Sequence, residues 1–213
     1  MKKNLLVCSA LLSLMPGVGA AQSSVDFTGG TLMDSLCTDA TSGFHCTVDL
    51  RNGDFEAPIN ATDPYRWQLE APRGTRFPYL GRTPDSRTLA LPGRGAKAWA
   101  EAPLPPVAAS AELQEHSYTL RLRARGSGPM PADVAMTLLV TGPGEPDGGR
   151  ELATVTHSVG WEWEPLHLKV HRLAVAAPAR LSVRIERTDG NTPTMLQVDD
   201  VRILRAPADP WNH

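Results

Sequence analysis

Residues 118–125 alternate without a break. Tyr118, Leu120, Leu122 and Ala124 point one way, and Thr119, Arg121, Arg123 and Arg125 the other. A period of two marks a strand with one buried and one wet face, the ordinary state of antiparallel sheet. A core strand with a solvated basic face accounts for the arginines without a phosphate or acidic-polymer site. Shorter apolar or alternating runs recur at 44–50, 65–69, 88–91, 96–100, 134–141, 152–159, 166–173, 179–186 and 196–204. Turn chemistry separates them: Asn52-Gly53, Pro92-Gly93, the 143–149 loop and Asp189-Gly190-Asn191. Prolines 58, 64, 72, 78 and 84 make 59–87 loop-rich, because proline removes a ladder donor. About ten short strands and no long amphipathic helix predict one all-β domain, an antiparallel β-sandwich.

The chain opens as an export signal. Lys2 and Lys3 precede an apolar run from Leu5 to Met15, Pro16-Gly17 breaks it, and small residues through Ala21 suit cleavage. The run is shorter than the ~20 apolar residues that span a bilayer, and no later segment is long enough either. Cys8 sits too early in the run to be a lipidation site. Losing Lys2 and Lys3 moves the net charge from −2 to about −4, which argues against nucleic acid or an anionic membrane surface as partner. Cys37 and Cys46 remain, and in an exported protein they predict one disulfide across a turn-rich loop. The expected organisation is a signal peptide at 1–21, an extension with the disulfide at 22–48, the sandwich at 49–206 and a tail at 207–213. The Lys-led signal places the protein in a bacterial periplasm or outside the cell, so the sequon at Asn60 carries no weight.

Several short motifs fall in a telling order: Asn52-Gly53-Asp54-Phe55-Glu56, Trp67, Tyr118-Thr119-Leu120, Trp163 ahead of Leu166, Leu168 and Val170, and Val198-Asp199-Asp200-Val201-Arg202-Ile203. In that order they resemble the galactose-binding-like jelly rolls, of the kind seen as carbohydrate-binding modules of xylanases and glucanases. The resemblance covers 49–205, and 22–48 lies outside it. It implies a glycan or polysaccharide partner and a structural calcium held by Glu56 with Asp199 or Asp200. Calcium takes 6–8 oxygen ligands, and a carboxylate from each end would clasp what are expected to be the first and last strands. Neighbouring strand residues face opposite ways, so one of the two aspartates is expected to bind. Val201 and Ile203 in the core put Asp199 on their face, whereas the family leans to Asp200.

A sugar site needs aromatic platforms for the apolar faces of pyranose rings. Tyr65, Phe77, Tyr79, Trp99 and Trp161 are the candidates, and Trp67 and Trp163 read as core. Enzyme signatures are missing: there is no Gly-x-Ser-x-Gly elbow and no His-Glu-x-x-His. His167 and His171 on one strand would stand about 13 Å apart, too far to share a metal. Glu162 and Glu164, at about 6.6 Å, match an inverting glycosidase pair on paper but lack a cleft. The expectation is an exported, non-catalytic carbohydrate-binding protein. A structural or protein-interaction sandwich and a glycan-active hydrolase or lyase are the alternatives.

Overall fold

The computed structural model describes residues 35–41, 43–60, 63–82, 86–109, 111–190 and 193–208. The signal segment, residues 61–62 of the sequon, Pro84 and most of the expected tail lie outside them. Thirteen strands follow in order among the described residues: β1 (Cys46–Val48), β2 (Pro58–Asn60), β3 (Asp63–Pro64), β4 (Gln68–Glu70), β5 (Tyr79–Arg82), β6 (Arg87–Leu91), β7 (Lys97–Pro103), β8 (His116–Gly126), β9 (Ala132–Thr141), β10 (Arg150–Val159), β11 (Glu164–Leu173), β12 (Arg180–Arg187) and β13 (Leu196–Pro207). They form a six-stranded sheet in the order β11-β8-β13-β6-β5, with β1 also on β13, and a five-stranded sheet in the order β10-β9-β12-β7-β4. β2 and β3 make a separate pair. All paired strands are antiparallel, and the two sheets make a β-sandwich.

The core lies between the sheets and follows the period-two pattern. Leu120, Leu122 and Ala124 of β8 meet Val134, Met136 and Leu138 of β9 and Leu181, Val183 and Ile185 of β12, all buried. Ala98, Ala100 and Ala102 give β7 a thin inner face. One buried ion pair ties two turns to this core. Arg187 Nη2 donates to Asp189 Oδ1 at 2.8 Å, and its Nη1 donates to the carbonyls of Pro92 and Thr194 at 2.8 and 2.6 Å. Partners on all sides offset the cost of burying the guanidinium.

β13 organises its sheet. β8 flanks it along one side, while the other is shared: Leu196–Val198 pair with β6 and residues 203–205 with β1. A bulge between Asp199 and Arg202 separates these partners. Residues 52–56 meet the bulge, where the Val201 amide donates to the Gly53 carbonyl at 2.8 Å. The two distant motifs are therefore in contact, but 52–56 is a turn and not the first strand. Asn52 and Phe55 have φ of 55° and 57°, which no strand accepts. The first strand is β1. It belongs to the sheet and starts ahead of the boundary expected at 49, because the disulfide and the free flank of β13 hold it there. Cys37 and Cys46 are bonded, and Leu36 makes a parallel bridge to Thr47.

The bulge also corrects the facing of the aspartates. An added residue with φ of 53° at Asp200 puts both Val198 and Val201 into the core. Asp199 then lies opposite Arg123, whose side chain is on the wet face. Trp163 is corrected too. It is half-exposed on the outer face, since it is out of step with Leu166 and Leu168. Trp67 is core: it packs on Phe55 at 5.1 Å between ring centroids, and its Nε1 donates to the Asn52 carbonyl at 3.0 Å.

Candidate functional site

The outer face of the five-stranded sheet carries an aromatic residue in a polar row. Register places Gln68 of β4 beside Trp99 of β7, Trp99 beside Arg184 of β12, Arg184 beside Thr137 of β9, and Thr137 beside Thr154 of β10. Trp99 is half-buried, and its Nε1 donates to Glu70 Oε1 at 3.2 Å. Lys97 sits 2.9 Å from Glu70 Oε2; first this ammonium and then the indole N–H hold the Glu70 carboxyl below the usual carboxylate range. Thr154 Oγ1 donates to Glu151 Oε1 at 2.7 Å, and Arg184 reaches Glu151 at 3.5 Å. The result is an indole fixed by its edge in a field of donors and acceptors.

Two residues along β7 from Trp99, on the same face, Glu101 borders a cleft of about 210 Å³ with Arg51, Arg66, Pro103 and Arg180. Glu101 is spoken for: Arg180 Nη1 donates to Oε2 at 2.8 Å and Thr141 Oγ1 to Oε1 at 3.2 Å. Tyr65 belongs to this end of the face. The Arg66 and Arg51 guanidiniums, two walls of the cleft, hold its phenol below the ordinary tyrosine value. Of the expected aromatics, then, Trp99 and Tyr65 are drawn to one side of the sandwich.

The other three candidates do not join them. Tyr79 lies on β5 opposite Ala90 in the six-stranded sheet, with its hydroxyl 2.9 Å from Met195 Sδ and Arg76 over its ring. Phe77, 48% exposed, is in the loop before β5. Trp161, 74% exposed, tops the turn between β10 and β11. That turn is not strand, so Trp161 and Trp163 do not share a strand face.

The three acidic candidates do converge. Asp199 accepts from the Asp200 amide at 2.8 Å and from Ser86 Oγ at 3.5 Å. Burial first, then the charges of Asp200 and Glu56, push its carboxyl above the usual aspartate value. Glu56 Oε1 accepts from the Arg87 amide at 2.7 Å, and Asp200 Oδ1 from Arg202 Nε at 2.7 Å. Among the described residues no three His, Cys, Asp or Glu side chains form a ready metal-ligand group.

No family model and no curated protein matches the chain. Solved structures do. A cyclase from Fischerella sp. TAU is similar over 78% of this chain and 99% of its own, at 16% identity and a TM-score of 0.54. A structure titled for CBM4 is similar over 74% and 99%, at 16% identity and 0.49. The module TmCBM61, solved with β-1,4-galactotriose, is similar over 73% and 97%, at 15% and 0.46. The likeness is one of fold. That fold is the antiparallel jelly roll which the order of motifs implied.

The jelly roll leaves the enzyme signals scattered. Glu164 Oε1 accepts from the Gly160 amide at 2.9 Å and so shapes the β10–β11 turn, while Glu162 is exposed. His167 and His171 are exposed along β11. Arg51, Arg66, Glu101, Arg180 and Arg184 were not singled out from sequence. They are ordinary surface charges there; cross-strand register sets Glu101, Arg180 and Arg184 along β7 and β12 beside Trp99, and the turns that hold Arg51 and Arg66 bring those two to Tyr65.

Proposed function

We propose that the chain is an exported, non-catalytic glycan-binding domain, with its site on the outer face of the five-stranded sheet. One observation carries this reading: Trp99, half-exposed and fixed by its indole edge, sits between Gln68 and Arg184 in a polar row. A pyranose stacks an apolar C–H face on such a ring while its hydroxyls meet the amide and guanidinium beside it. The Glu101 cleft extends the surface for a second sugar unit. The disulfide supports export, since such bonds persist in oxidising compartments. A stacking contact contributes about 0.5–1.5 kcal/mol beyond its area. Trp99→Ala should therefore weaken the best glycan about three- to tenfold in affinity electrophoresis or calorimetry. Binding to no soluble or insoluble polysaccharide, or full affinity in the variant, removes the reading.

Calcium at the clasp belongs to the same reading. The reading draws on the carboxylates of Glu56 and Asp199 beside the β13 bulge, hard oxygen donors of the kind calcium takes. Glu56 and Asp199 would hold it, with backbone carbonyls and water completing the 6–8 oxygens; Asp200 is engaged by Arg202. Bound calcium would add stability to the folded state alone.

A second reading, a protein-interaction sandwich, draws on Phe44 and Trp161, which are 78% and 74% exposed. Glycan binding that depends on Trp99 decides against it as the main role.

A further inference from the structure

The outer face of the six-stranded sheet has a different chemistry. β8 brings Arg121, Arg123 and Arg125 to it. Register sets His167 of β11 and Arg202 of β13 on either side of Arg121. Pro165 and Asp199 flank Arg123, and Lys169 lies next to Thr119. On β8, β11 and β13 the cations Arg121, Arg123, Arg125, Lys169 and Arg202 and the imidazole of His167 thus share a face with the carboxylates of Asp199 and Asp200. Like charges placed opposite each other across a sheet cost stability. A chain with a formal charge of −2 nevertheless concentrates them here.

Some of these cations are also held in place. Trp163 lies under the guanidinium carbons of Arg125 and Arg123, at 4.7 and 5.6 Å from its ring centroid. Arg125 Nε donates to Gln197 Oε1 at 2.7 Å. A fixed guanidinium loses less freedom on meeting a carboxylate, and its planar fork suits that partner. Along β8 the arginines recur every ~6.8 Å. Such a row on an open strand face matches an extended polymer better than a single small anion.

We propose that this face binds an acidic polysaccharide, one whose sugars bear carboxylates. The charge is complementary and repeats along the strand. The disulfide favours an oxidising compartment, where polymers of this kind are met. A pI of about 6.3 is far from the strongly basic value of a nucleic-acid binder. The site is on the opposite side of the sandwich from Trp99 and stands independently of the glycan reading there.

The probe is polygalacturonate, set against the same polymer fully methyl-esterified. The full chain should bind the acid form and not the ester, and binding should fall about tenfold or more between 50 and 300 mM salt, as screening predicts. The double variant Arg123→Gln with Lys169→Gln should bind about tenfold more weakly without a lower melting temperature, and Arg123→Glu with Lys169→Glu, which also sets a carboxylate opposite Asp199, should bind more weakly still. An excess of neutral polysaccharide should not displace polygalacturonate, which separates this face from the other. Equal binding of acid and ester, or no effect of either double variant, overturns the proposal. So does tighter binding to single-stranded oligo(dT) or to anionic phospholipid vesicles, which would reassign the face.

Discussion

Gly53 shows how one residue can hold a sandwich together. A Cβ there would stand 2.0 Å from the Val201 carbonyl oxygen, against backbone on a bulge that has no room to retreat. The Val201 amide donates to the Gly53 carbonyl, and Asn52 next to it accepts from the Ala57 amide and donates to the Tyr65 carbonyl. Gly53→Ala should cost about 3 kcal/mol, the scale of a severe single change in a packed site. Urea unfolding checks it, and a loss under 1 kcal/mol would mean that the turn and the bulge part without consequence. The Asn-Gly pair announces a turn in the sequence. That the turn must touch a bulge about 150 residues away is written nowhere near it. The same holds for Asp199, whose facing reverses because of one added residue.

Strands were legible wherever the pattern was long and regular. β8, β9, β10, β11, β12 and β13 each fall within a few residues of the expected runs, because period two is a local consequence of one buried face. The proline-rich span hid β5, which is a sheet edge where prolines nearby do little harm. Residues 65–69 read as one strand, yet Arg66 has φ of 71° and only Gln68–Glu70 pair. At the other end, β1 is three residues long and relies on the loop bonded to it. A loop of about ten residues gives a disulfide roughly 2.5 kcal/mol of loop entropy. Cys37→Ser with Cys46→Ser should lower stability by about that amount and raise amide exchange first in residues 46–48. Exchange spread evenly over both sheets would contradict an element-level effect.

At the scale of the whole molecule, the clasp links stability to pH, and the calcium proposed for it would link stability to metal. In chelator, the Asp199 carboxyl is raised above its unfolded value near 3.8. Between those two values the folded state keeps a proton that the unfolded chain releases, so this group's stabilisation is full below about pH 3.8 and lost as pH rises through the folded value. Asp199→Asn should therefore raise the melting temperature at pH 7 in chelator. If calcium binds there as proposed, the order should reverse in its presence: wild type should gain about 2.7 kcal/mol at a hundred times Kd, and the variant little. A calcium response identical in the two proteins, or none in wild type, would remove the ion from the clasp. The same scale sets the two outer faces apart. Trp99 and Tyr65 come together with Arg184, Arg180 and Glu101 on one side, and the arginines of β8 meet Lys169 and Arg202 on the other. The sequence by itself determined what depends on near neighbours: alternation, turn positions, the all-β class, and which side chains of regular strands such as β8, β9 and β12 go inward. Only the tertiary structure decided which strands adjoin, where β13 bulges, that Trp163 faces out, and which candidate aromatics share a surface. Those outcomes depend on pairing between residues far apart in the chain, and a one-residue bulge is enough to exchange a buried position for a wet one.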